Sequence, residues 1–201
     1  LIGCLAGLSS CGSSETPNQG TAATPAPNET AHKTQGMLVY GAQADIGHLI
    51  PVVYESATDV EILGNINLAA LDVDFDCSLK KKPGHATEWS WNEAGDIIYM
   101  KYRDDLTWSD GKPVTAHDVA ITYDLIADPL VASPRLSYIK HLKEGFRPKV
   151  IDDYTVEWHF THAYDRDTML AHVTGLSAMP RHIFKDADRK TLRGHKLDKE
   201  P

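Results

Sequence analysis

Ten histidines and three cysteines are the side chains of this 201-residue sequence most open to chemistry. His159 and His162 stand three apart, so a single strand would send their imidazoles to opposite faces. His172, His182 and His195 lack ligand spacing to any cysteine or carboxylate cluster, and no His-Glu-x-x-His run occurs. A metal site assembled from distant residues stays open as the alternative. There is no Gly-x-Ser-x-Gly elbow and no glycine-rich loop that would cradle phosphate. The expectation is a protein that is not an enzyme and has no cofactor.

Cys11 carries a different chemistry. It closes Leu8-Ser9-Ser10-Cys11, after the apolar run Leu1 to Leu8. That run is far too short to span a bilayer and resembles the tail of a secretory signal peptide. An apolar residue, two small residues and a cysteine are similar to the bacterial lipobox. The small residues let the chain lie in a peptidase groove, and the thiol accepts diacylglycerol. Leu1-Ile2-Gly3-Cys4 fits the same pattern, but apolar sequence continues after Cys4 whereas polar sequence begins after Cys11. With Cys4 removed and Cys11 acylated, Cys77 has no partner for a disulfide within the chain and is expected as a buried thiol. Its neighbours Asp72, Asp74 and Asp76 disfavour a thiolate.

The elements that must position any site follow from composition and periodicity. The chain is 42% hydrophobic and 24% charged, with a formal net charge of −8. This is ordinary for a globular protein and argues against a nucleic-acid binder, which carries a basic face. Residues 1–10 read as the signal remnant. Residues 11–36 are rich in Gly, Ser, Thr, Ala and Pro, cannot bury a core, and read as a flexible linker. Residues 37–201 read as the folded part. Met37 to Gly41 predicts a strand, and Asp59 to Leu71 predicts a helix. Trp89–Asn92 and Asp96–Arg103 predict a hairpin across Glu93-Ala94-Gly95-Asp96. Asp110-Gly111 predicts a tight turn, and Thr115 with Asp118 predicts a capped helix start. Val119, Tyr123 and Ile126 line one face of that helix, which ends at Asp128-Pro129. Thr155–Phe160 predicts a strand, and Asp165–Thr174 a helix closed by Gly175. Strands and helices mix, giving α/β or α+β.

Six segments, in order, resemble family 5 extracellular solute-binding proteins, the dipeptide, oligopeptide and nickel receptors. Leu49-Ile50-Pro51 stands where the family has Leu-x-Pro. Pro83-Gly84-His85-Ala86-Thr87-Glu88-Trp89 is similar to its Pro-Gly-x-Ala-Glu-Ser-Trp, and Tyr99 to Arg103 to its Thr-Phe-x-Leu-Arg strand. Leu106 to Val119, containing Trp108-Ser109-Asp110-Gly111, is close to its most specific run. Asp152-Asp153-Tyr154-Thr155-Val156 and Met179 to Phe184 match two further segments. Physically, Trp108 is expected in a core and Asp110 in a turn, so this signature is structural. The resemblance implies an α/β, type II periplasmic-binding-protein-like clamshell. Only most of its first lobe would be present here, with apolar surface and an unpaired sheet edge exposed.

The resemblance also implies site residues. After Leu-x-Pro, a Glu four positions on and the residue two beyond approach the ligand; these are Glu55 and Ala57. A carboxylate there suits a peptide's amino terminus. After Ser133-Pro134 the family commonly has Tyr, and this sequence has Arg135. That change removes a stacking ring and adds a cation that can grip a carboxylate by two bonds; a plain surface arginine is the alternative. The implied function is the substrate-binding component of an ABC importer. It would capture an extracytoplasmic solute, an oligopeptide first, as a monomer anchored through Cys11 to the outer face of a bacterial membrane or facing the periplasm. It would deliver that solute to permease subunits in the membrane. The alternatives are a non-transport lipoprotein of the same fold or a non-functional remnant. Nickel in this family travels as a chelate with few direct protein ligands, so poor histidine spacing leaves that ligand open.

Overall fold

Alternation of apolar and polar side chains over Ile97-Ile98-Tyr99-Met100-Lys101-Tyr102 builds a strand buried on one face. The computed structural model describes residues 41–198 apart from 42–43, 68, 74–80, 144 and 146. Cys4, Cys11, Cys77, the linker 11–36 and the expected strand from Met37 therefore lie outside the described residues, as do 199–201.

In chain order the elements are α1 (Ala57–Ile66), β1 (Leu71–Val73), β2 (Lys81–Pro83), β3 (Ala86–Trp91), β4 (Ile97–Tyr102), α2 (Ala116–Ala127), β5 (Lys149–Asp152), β6 (Thr155–His159), α3 (Arg166–Thr174) and α4 (Arg181–Phe184). Short 3-10 turns cover Leu136–Ile139, Arg189–Gly194 and Lys196–Asp198. β1 and β2 form a two-stranded antiparallel ribbon. The main sheet is antiparallel, in the order β3-β4-β6-β5.

The expected hairpin is present. Gly95 takes φ 76° in its turn, and Asn92 Oδ1 accepts from the Ile97 N–H at 2.9 Å. Its first strand begins three residues earlier than the sequence suggested, at Ala86. β6 falls where the sequence placed it, and its last expected residue, Phe160, makes an isolated bridge to Leu142. Ile98 lies opposite Trp158 and Met100 opposite Val156, all four inaccessible to solvent. Tyr123 of α2 meets Trp158 edge-on, with ring centroids 4.6 Å apart. Each such fully buried large side chain contributes on the order of 2 kcal/mol.

α2 starts and stops as its sequence predicts. The Asp118 carboxylate accepts from the Thr115 N–H at 2.7 Å and the Thr115 hydroxyl at 3.1 Å. The other Asp118 oxygen accepts from the Arg181 N–H at 2.6 Å, which ties the helix start to α4. Val119, Tyr123 and Ile126 are buried as expected, and so are Ile121, Thr122 and Leu125. The helix is covered on a second side because residues 176–181 run across it. Thr122 donates to the Ser177 carbonyl, and the Met179 N–H donates to the Asp118 carbonyl.

Two expectations are corrected. α1 spans Ala57–Ile66, not Asp59–Leu71. Ser56 caps its start, accepting from the Asp59 N–H at 3.0 Å, and the Asn67 backbone turns extended at its end. Its apolar stripe is not a core stripe either, since Val60 and Ile66 are exposed and only Leu63 is buried. Trp108 is half-buried and lies outside the core cluster. Its segment pairs with itself, Thr107 against Pro113, instead of joining the sheet. Asp110 does shape the turn, accepting from the Lys112 N–H at 3.2 Å, while Gly111 takes φ 84°.

Candidate ligand-binding lip

Residues 47–56 form an irregular loop whose N–H groups need acceptors wherever water is excluded. Two buried carboxylates supply them. Asp59 accepts from Gly47 (2.7 Å) and His48 (3.2 Å) through Oδ1, and from Glu55 (3.3 Å) and Ser56 (3.2 Å) through Oδ2. Burial alone would raise the pKa of Asp59. The backbone N–H bonds from Ser56, Gly47, His48 and Glu55 outweigh that and hold it at about 2. Asp198, fully buried, accepts from Leu49 at 3.0 Å and Ile50 at 3.3 Å, and its other oxygen meets His48 Nδ1 at 2.7 Å.

A third tie comes from the loop after α2. Ala132 holds φ 49°, a left-handed conformation that costs an alanine on the order of 1 kcal/mol. The strained bend delivers Ser133, whose hydroxyl donates to the Val52 carbonyl at 2.5 Å. It also delivers Arg135, whose guanidinium lies 3.7 Å from the Tyr54 ring centroid while Nη2 donates to the Tyr54 carbonyl at 2.9 Å. Burial raises the Tyr54 phenol above its ordinary pKa, and Arg135 partly offsets this. The Tyr54 ring also lines a cleft of about 480 Å³ together with Pro51, Leu63, Asn67, Arg103 and Ser177.

Glu55 follows on the exposed rim. Arg193, from the 3-10 turn Arg189–Gly194, donates through Nη1 to Glu55 Oε1. This hydrogen bond, with the Arg193 charge, holds the Glu55 carboxyl below its ordinary pKa. Ala57 is the exposed first residue of α1, two positions further along. The structure thus gathers Glu55, Ala57 and Arg135 on one lip. It also shows that part of Arg135 is committed to Tyr54 and not held out as a free two-bond grip. Tyr54, Ser133, Asp59, Asp198 and Arg193 were missed from sequence. Ser56-x-x-Asp59 is a capping signature that would have found Asp59; nothing local marks the others.

His159, His162 and His182 fall into separate settings, whereas the His141 and His172 rings lie 4.7 Å apart. His159 Nε2 lies 2.9 Å from Glu157, whereas the His162 ring packs 3.9 Å from that of Tyr164. His182 Nε2 lies 2.7 Å from Asp110. Among the described residues no group of three or more His, Cys, Asp or Glu is placed to hold a metal ion. No helix of the described residues is long and apolar enough to cross a membrane. The lip offers a carboxylate, two guanidinium groups and an aromatic ring, a set suited to recognition.

Residues 80–199 match the family model for bacterial extracellular solute-binding proteins, family 5, and the chain belongs to that family. Its fold is the mixed α/β, type II periplasmic-binding-protein-like one. Among its relatives is the periplasmic alpha-galactoside-binding protein of Rhizobium meliloti, 35% identical over 105 residues, covering 51% of this chain and 15% of that protein. The periplasmic oligopeptide-binding protein OppA of Salmonella typhimurium is 35% identical over 89 residues, covering 37% of this chain and 16% of that one. The structure of the oligopeptide-binding protein AppA from Bacillus subtilis in complex with a nonapeptide superposes with a TM-score of 0.64 at 19% identity. That match covers 78% of this chain and 30% of AppA. The chain thus spans about a sixth of the length of the two sequence relatives.

Proposed function

We propose that the protein is the solute-binding component of an ABC importer, which captures a peptide outside the cytoplasm and delivers it unchanged to a membrane permease. The observation that carries this reading is the family match over residues 80–199. The peptide assignment rests on the lip. Glu55 offers a peptide's amino terminus an ionic partner, and Tyr54 lines the cleft beside it. A neutral sugar would hydrogen-bond these groups but would bring Glu55 no opposite charge. The periplasmic relatives support an extracytoplasmic location. Acylation at Cys11, with residues 12–36 as tether, completes the proposal as a membrane anchor for a monomeric receptor.

The test is titration calorimetry of the full chain with tetra-alanine and with melibiose, an α-galactoside. Heat of binding with the peptide and none with the sugar is the expected result. Binding of melibiose without peptide binding would overturn the peptide assignment. Silence toward both, extended to a peptide library, would remove the transport reading.

A further inference from the structure

Glu55 does not wait unpaired for a ligand, because Arg193 already occupies it. The contact joins residues 138 apart in sequence, and both side chains stay open to water, Glu55 at 56% and Arg193 at 39%. Arg193 is not needed to place Glu55. The Glu55 and Ser56 N–H groups are bonded to the buried Asp59 carboxylate, so the backbone under Glu55 is fixed without it. The other titratable groups acting on Glu55 are His48 and Asp59 on the same lip, and Asp59 is spent on backbone N–H groups. The second guanidinium nearby, that of Arg135, is seated on Tyr54.

We propose that Arg193 is a specificity-determining residue, a built-in competing cation that a ligand's ammonium group must displace from Glu55. The inference rests on the reading that Glu55 meets the ligand's amino terminus. One ion pair is exchanged for another, with no covalent bond made or broken. A carboxylate already neutralised by a guanidinium attracts a weak or poorly placed amine little. Only a ligand that seats its ammonium well and gains contacts elsewhere on the lip completes the exchange. Exposed ion pairs are weak, so Arg193 filters ligands without closing the site to them.

The experiment compares the full chain with its Arg193→Gln and Glu55→Gln variants, using tetra-alanine and N-acetyl-tetra-alanine as ligands. Arg193→Gln is expected to bind tetra-alanine about three-fold tighter, the scale of one exposed ion pair, and to bind the acetylated peptide as before. Its tetra-alanine affinity should also fall more steeply with salt, since Glu55 then acts without its local cation. Unchanged or weaker tetra-alanine binding by Arg193→Gln, with Glu55→Gln still weakening it, overturns the competitor role alone. If Glu55→Gln and acetylation both change nothing, the ligand contact at Glu55 fails, and the inference fails with it. The acetylated peptide also reports misfolding, because a damaged lip would lose affinity for both ligands.

Discussion

His85 sits 3% exposed against the Tyr102 ring, centroids 4.6 Å apart, with Nε2 lacking a hydrogen-bond partner. Burial lowers its pKa from 6.5 to about 4, so the folded protein holds it neutral. The unfolded chain takes up this proton more readily than the folded one. The associated stability is fully present above pH 6.5 and is lost as pH falls toward 4, a loss on the order of 3 kcal/mol. Urea denaturation from pH 7 to 4.5 should therefore show a slope that His85→Gln flattens. Equal slopes in the two proteins would mean that the imidazole protonates without leaving its place. Nothing in Pro83-Gly84-His85-Ala86 announced this. A histidine in a loop motif reads the same whether it is solvated or packed under a tyrosine. Glu55 was legible only through its distance from Leu49-Ile50-Pro51, and its partner Arg193 was not legible at all.

Asp118 shows what a short motif does between elements. One carboxylate serves the Thr115 N–H and hydroxyl at the start of α2 and the Arg181 N–H at the start of α4. Asp118→Ala removes the shared acceptor and leaves part-buried donors without it at two helix starts. A cost of about 3 kcal/mol is expected, against about 1 kcal/mol for Thr115→Val, which removes only the hydroxyl's bond to that carboxylate. Chemical denaturation of both variants checks the ratio. Equal costs would mean that the Arg181 tie contributes nothing. The hairpin, α2 and α3 were legible because their signals are local: a glycine at positive φ, a capping pair, a closing glycine. α1 was misread because Val60 and Ile66 of its stripe are exposed, and Val60 and Leu63 line the cleft. The pairing of β4 with β6 lies across more than fifty residues and leaves no periodicity to read.

Across the whole molecule, the lip is the region that local sequence describes least. Its loop has no regular structure, and its anchors Ser133, Arg135, Arg193 and Asp198 come from 81 to 150 residues away. Such ties are single polar contacts, and each could have been made by many other residue types in many other places. The sheet and α2, by contrast, follow from patterns that repeat along the chain. That division also explains why the family signature, which lies mostly in the sheet and α2, identifies the protein without locating its ligand contacts.

The bond from Asp198 to Leu49 and Ile50 sets an order of events during synthesis. Residues 47–56 leave the ribosome early, yet the carboxylate that satisfies two of their N–H groups is made about 150 residues later. At 5–20 residues per second this is a wait of roughly seven to thirty seconds. The sheet and α2 can close first, because their partners are nearer and a shorter loop costs less entropy to close. The lip then sets last around a finished core. Pulsed hydrogen exchange during refolding should find the Met100 and Trp158 amides protected before those of Leu49 and Ile50. Asp198→Asn should delay or abolish only the later protection. Simultaneous protection in both regions would show that the lip forms with the core.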